Sequence, residues 1–404
     1  MTEQTLLRLT ADFYQNPHAT YRELVKSGPV HRVELPNGLR AWLVTSYELA
    51  KQVLTDPTVS KDLYGPAGAT AQGSANIPLR LDPPINDNLV YSDPPRHTRL
   101  RKIAAKALSG NAIRDFTPRI AEIARTLLRL TAGQSDIDLL GSYAYPYTVT
   151  VICELIGIDA ADRTLFQSWL QTQISAADTA DKYAAAANFE NYVHGLMERR
   201  DGQGATDFLS ELMAPDEQGD RLDKRELVAM INAILLGGQE TTAALIGNTV
   251  LTLLLRPDLM EELRANPDIV PEFIEEQLRF ESSGNISPPR FTTAPLRLGG
   301  TVIPAGQVVV VSLATANRDP GYFERPTEMD PHRLDNRHLA FGYGIHRCVG
   351  AALARSEAKI ALSELLSHFS DISLAVEPTE LRWQSSSITR GLTSLPVRVR
   401  CAVH

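Results

Sequence analysis

The longest periodic stretch of the chain begins at Asp223 and ends at Leu255, where Arg256-Pro257 stops it. Asp223-Lys224-Arg225-Glu226 has the form of a capping box. The pattern predicts one helix of about 32 residues, ~48 Å long, enough to cross the whole protein. Upstream, residues 18–28 read as a helix, and Val30–Glu34 and Ala41–Val44 as strands joined through the hairpin signal Asn37-Gly38. Ser46 can cap a further helix that ends near Asp56-Pro57. Residues 59–92 carry no period and are rich in Gly, Ala, Pro and Asn; they read as a long irregular loop, either disordered or a lid or binding loop. Pro94-Pro95 can open the next helix, on which His97 and Arg101, four apart, share a face. Residues 114–200 read as successive helices with short breaks, Thr148–Gly157 being core and 163–200 two amphipathic helices. Leu296–Leu298 and Val308–Ser312 are strand-like, with turn signals Gly299-Gly300 and Pro304-Ala305-Gly306 between them.

Three places break these patterns. The middle of the long helix carries Gly237-Gly238-Gln239-Glu240-Thr241-Thr242. Each glycine there costs about 1 kcal/mol relative to alanine, and a buried acid and alcohol cost more unless satisfied. Close helix packing explains the glycines but not the acid–alcohol pair. Glu276 and Arg279 can pair on one helix face, a common and by itself weak feature. The third place is Phe341–Arg355, where Gly342 and Gly344 allow turns that a side chain would forbid. Cys348 follows them and precedes a helical pattern at Val349, Ala352, Leu353, Ile360 and Leu365. A cysteine near a helix N-terminus is favoured as thiolate. It reads as a metal ligand, as a nucleophile with His346 as base, or as a small buried hydrophobe; only the first accounts for the glycines around it.

Phe341-Gly-Tyr-Gly-Ile-His-Arg-Cys348-Val-Gly350 resembles the haem-binding loop of the cytochrome P-450 superfamily, Phe-Gly-x-Gly-x-His/Arg-x-Cys-x-Gly, and is followed by the family's Ala-Leu-Ala-Arg. The resemblance extends in order through the hairpin, the His97-x-x-x-Arg101 helix, the Gly-Glu-Thr helix, Glu276-x-x-Arg279 and the Cys loop. It implies a mainly α (α+β) fold, one domain over residues 1–404 with a small mixed β region around a buried haem b. Cys348 would be the axial thiolate, the ligand that pushes electron density toward O–O cleavage. His97, Arg101, Arg290 and His346 would hold the haem propionates, and Gly238, Phe341 and Gly350 would lie against the cofactor. Thr241 would hydrogen-bond dioxygen and Glu240 relay protons to it, with Thr242 nearby. Glu276, Arg279 and Arg333 would form a structural lock behind the haem, although Leu334 departs from the residue often seen after that Arg. The family places a substrate-lining loop at 59–92, a roof at 163–200, and pocket walls at Leu236, Gly237, Ile286, Ser287 and a late hairpin at Ile388-Thr389.

Composition narrows the picture further. The net charge of −8 argues against nucleic acid as a partner. Three cysteines, Cys153, Cys348 and Cys401, make no disulfide framework and fit a reducing compartment. Met1 to Pro17 has no apolar run of signal or anchor length, and no later stretch reads as a membrane span, so a soluble cytoplasmic protein is expected. The reaction implied is insertion of one oxygen atom from O2 into a small hydrophobic natural product of the macrolide, polyketide or peptide kind. Electrons would come from NAD(P)H through a separate reductase and a ferredoxin or flavodoxin, docking at Lys102, Lys106, Arg347 and Arg355. Oxidative C–N or C–C cyclisation uses the same machinery. A peroxygenase of this fold typically lacks the acid–alcohol pair, and a haem sensor has no need of it.

Overall fold

The computed structural model describes residues 5–74, 87–175, 179–200, 208–215 and 218–402. The chain opens with β1 (Leu7–Arg8), α1 (Asp12–Gln15) and α2 (Pro17–Ser27), followed by the hairpin β2 (Val30–Glu34) and β3 (Arg40–Val44), α3 (Tyr47–Thr55), β4 (Val59–Ser60) and α4 (Pro66–Ser74). Helices then dominate: α5 (Arg96–Ala107), α6 (Gly110–Arg129), the short strand β5 (Asp136–Asp138), α7 (Tyr145–Ile156), α8 (Arg163–Ser175), α9 (Thr179–Arg200), α10 (Phe208–Met213), α11 (Lys224–Leu255), α12 (Pro257–Ala265) and α13 (Val270–Phe280). The last third alternates β6 (Arg290–Thr292), β7 (Leu296–Leu298), β8 (Thr301–Ile303), β9 (Val308–Val311), α14 (Leu313–Ala316), α15 (Ala351–His368), β10 (Phe369–Leu374) and β11 (Pro396–Cys401). The architecture is mainly α with a small β region, as the sequence led us to expect.

The long helix has the predicted bounds. Asp223 accepts from the Glu226 N–H, and Glu226 closes the capping box on the Asp223 N–H. α11 packs on α7 and α15, and α15 in turn packs on α6 and α13. One hydrophobic cluster joins these helices. Cys153 lies in it, where burial pushes its thiol up to about 12 and leaves it inert. No described single helix is long and apolar enough to cross a membrane.

The largest sheet among the described residues runs β1-β2-β3-β9-β6-β4. Its central strand β9 is the run Val308-Val-Val-Val311, every side chain buried. It pairs parallel to β3 and antiparallel to β6. A continuous apolar run is what a strand covered on both faces needs. Two smaller clusters cover this sheet.

The stretch 59–92 departs from the expected irregular loop. Where it is described it contains β4, helix α4 and a turn of 3-10 helix at Leu89–Tyr91; residues 75–86 lie outside the described residues. α4 has no apolar stripe, hence no period to read. It is held instead by close approach: a Cβ on Gly68 would come within 2.4 Å of the Leu63 carbonyl oxygen, and Ala71 is fully buried. Residues 176–178, within the expected helical pair, also lie outside the described residues.

Candidate active site

The Cys348 loop is built as its glycines require. Gly342 and Gly344 both have positive φ, 71° and 73°. A Cβ on Gly344 would lie 2.8 Å from the Leu54 carbonyl oxygen, so the loop sits directly on the end of α3. The Cys348 N–H donates to the Phe341 carbonyl at 2.8 Å, and Gly350 begins α15. Cys348 is exposed by surface area yet surrounded by protein, the mark of a side chain at the bottom of a recess. That enclosure raises the thiol pKa, against the pull of the Gly350 backbone and of Arg101, Arg347 and Arg355. The recess therefore holds a neutral thiol unless a metal cation takes the place of its proton.

A cluster of cations faces the same recess. His97 and Arg101 lie on one side of α5, as their spacing predicted, and Arg101 is close enough to feel Cys348. The rings of His97 and His346 are 4.1 Å apart. Both nitrogens of His97 and Nε2 of His346 are buried without a hydrogen-bond partner. Burial, with His97, Lys61, Arg290 and Arg101 nearby, drives His346 down to about 2. Arg290 is buried, and desolvation lowers its pKa to about 10. The Asp93 carboxylate acts on Arg290, but its oxygens already accept from the Ser60 hydroxyl at 2.6 Å and the Lys61 N–H at 2.9 Å. Orphaned imidazoles beside buried cations are a donor set suited to an anion. A haem, which brings two carboxylates and an iron, fits this donor set: its carboxylates would answer His97, Arg101, Arg290 and His346, and its iron would answer Cys348. Lys61 belongs to the cluster and was not singled out from the sequence. Ser60-Lys61-Asp62 lies in the stretch without period, where a lysine reads as solvated.

On α11, the Thr241 hydroxyl donates to the Gly237 carbonyl at 2.5 Å. This side-chain bond competes with the helix ladder at the glycine pair. Gly237 is exposed and a Cβ there would meet nothing within 4 Å. At Gly238 a Cβ would reach Ile152 of α7 at 3.1 Å, so a side chain there would crowd α7, whereas one on Gly237 would enter open space. Burial raises the pKa of Glu240, and burial first and the Glu240 charge second raise that of Tyr145 on α7. Thr242 is buried in the core.

The expected pocket walls divide. Leu236 is partly buried and Ile388 exposed. Thr389 is buried and bridges from the late hairpin to Gly284, and Trp383 and Leu392 pair across the hairpin itself. Ile286 and Ser287 do not serve as walls. Ile286 is buried in the cluster under the sheet, and the Ser287 hydroxyl accepts from the Val311 N–H at 3.0 Å. Both were drawn into the sheet because their segment pairs with the end of β9.

Behind the Cys loop, Glu276 and Arg279 are fully buried and paired through two bonds of 2.8 Å. Arg279 also donates to the carbonyls of Asn317, Pro326 and Glu328. Arg333 joins Glu276 at 3.2 Å, so the third member lies where the sequence put it. Leu334 is fully exposed; its departure from the family pattern falls on a side chain that packs on nothing.

The electron-carrier surface is reduced. Arg355 donates twice to Glu275, at 2.5 and 2.8 Å, and lies 4.5 Å over the Phe341 ring. The pair braces the loop, and Glu275 offsets part of the Arg355 charge. Lys106 pairs with Glu211 and Lys102 bonds Gln218, while Arg347 is exposed.

A mainly helical fold with a cysteine on a glycine loop, a long helix carrying Gly237-Gly238-Gln239-Glu240-Thr241 and a buried Glu–Arg–Arg lock defines a haem-thiolate oxygenase. The sequence matches the cytochrome P-450 family over residues 162–391. It is 40% identical over 400 residues to cytochrome P-450 monooxygenase PikC of Streptomyces venezuelae, covering 97% of this chain and 93% of that one. It is 35% identical to mycinamicin IV hydroxylase/epoxidase of Micromonospora griseorubida, covering 93% and 94%. The tirandamycin C-bound P-450 monooxygenase TamI superimposes with TM-score 0.85 at 38% identity, over 98% of this chain and all of that one. The chain belongs to the cytochrome P-450 family and is a monooxygenase of the bacterial type.

Proposed function

We propose that this enzyme hydroxylates or epoxidises a small hydrophobic natural product of the macrolide, polyketide or peptide kind. The observation that carries the reading is the meeting of Cys348 with Arg101, and of Arg101 with Arg290 and the orphaned imidazoles of His97 and His346; the Thr241–Gly237 pair of α11 is read as the opposite wall. The relatives named for mycinamicin IV and tirandamycin C support the substrate class. The cofactor is haem b, which supplies oxygen activation at its iron when bound. In this reading Cys348 holds the iron, and His97, Arg101, Arg290 and His346 hold the carboxylates. Thr241 offers its hydroxyl on the open face, and Glu240, its proton held more tightly by burial, returns protons to it. Glu276, Arg279 and Arg333 fix the floor from behind. The chain works as one domain, in the cytoplasm, and receives electrons from NAD(P)H through a reductase and a ferredoxin or flavodoxin.

Thr241→Ala is expected to lower product formation by about 10²-fold, the scale of one lost positioned donor, while NAD(P)H consumption continues. Simultaneous assay of cofactor and product checks it; unchanged coupling places the proton route elsewhere. The substrate class is tested by optical titration of the ferric protein with macrolides, linear polyketides, peptides and terpenoids. A saturable spin-state shift is expected with the first three classes, and a shift from terpenoids alone overturns the assignment.

A further inference from the structure

We propose that Lys61 is a further residue that grips the carboxylates of the cofactor, from the strand side of the site. The inference rests on the haem reading above. Lys61 follows β4 and is 3% exposed. Its Nζ donates to the Pro289 carbonyl at 3.2 Å and lies 5.2 Å over the Tyr91 ring. Among the described residues no carboxylate pairs with it. Asp93 is close, but accepts from the backbone N–H of Lys61 rather than from the ammonium.

Three further groups face Lys61: Arg290, Asp93 and His346. Desolvation first and Arg290 second push the Lys61 pKa well down. An ammonium with three donors and one carbonyl acceptor, buried beside an arginine, is a costly arrangement without an anion between them. Arg290 itself follows Pro289, whose carbonyl anchors Lys61. Lys61 and Arg290 both act on His346, and Arg290 on His97, in the recess that holds their orphaned nitrogens. A carboxylate placed there completes the coordination of all four groups.

The alternative is that Lys61 merely tethers its segment to Pro289. The full-length protein, stripped of haem and reconstituted, separates the two roles. Affinity is measured for haem and for its dimethyl ester, which keeps the ring and iron but has no carboxylates. The wild type is expected to prefer the diacid. In Lys61→Met that preference should fall by roughly tenfold, the worth of one charge-assisted bond, with ester affinity little changed. Lys61→Arg, which keeps a cation, should restore it. Equal weakening for both ligands in Lys61→Met, or no change for either, overturns the proposal. If Lys61→Met fails to fold, the comparison is made with Lys61→Gln. A wild type that binds neither ligand with a thiolate spectrum is a different result, and refutes the haem reading itself.

Discussion

Glu276→Ala should cost the fold about 3–5 kcal/mol, whereas Glu275→Ala, one residue away, should cost about 1 kcal/mol or less. The difference lies in burial. Glu276 is fully buried between Arg279 and Arg333, and also accepts from the Asp330 N–H and the Asn336 side chain. Removing it leaves two guanidinium groups uncompensated in the interior. Glu275 is about a third exposed, at 34%, and water replaces it opposite Arg355. Because a domain is stable by only about 5–15 kcal/mol, the Glu276 variant should unfold at much lower urea or accumulate little folded protein. Urea denaturation of the two variants side by side checks this, and equal midpoints would show that the lock is not a stability element.

Cys348→Ser should abolish product formation while leaving the fold intact. The loop geometry depends on Gly342, Gly344 and the Cys348 backbone N–H, none of which the substitution alters. The sulfur accepts from the Gly350 backbone N–H, a bond that a serine oxygen also accepts. Far-UV circular dichroism should match the wild type, and turnover should fall below detection, since the hydroxyl is a poor metal ligand at neutral pH where a thiolate is a good one. Residual turnover above about a tenth of wild type would show that Cys348 is dispensable.

Much of this site was legible because chemistry and covalent spacing coincide in sequence. The Cys loop, the Glu276–Arg279 pair and the His97–Arg101 face are each held within one turn or one helix, so local spacing fixes their geometry. The capping box put the start of α11 at Asp223 for the same reason. What failed depends on the third dimension. Nothing in Gly237-Gly238 says which of two neighbouring glycines faces open space; the position of Ile152, on another helix, decides it. Ile286 and Ser287 sit beside the site in sequence, but sheet pairing with Val311 and Ser312 takes them out of it. Lys61 reads as a loop lysine until Pro289 and Tyr91, far along the chain, enclose it. Arg355 reads as a surface cation until Glu275 on α13 captures it. Long-range enclosure leaves no mark on the residue enclosed, and the errors collect there.

The central claim is that Cys348 and the cation cluster together hold a haem through a thiolate. The most direct measurement is the optical spectrum of the reduced, carbon monoxide-bound wild-type protein, with haem and protein quantified in the same sample. A thiolate-type band at one haem per chain is the predicted result. A stoichiometric haem giving only a histidine-type band, or a pure folded chain that takes up no haem, would contradict it.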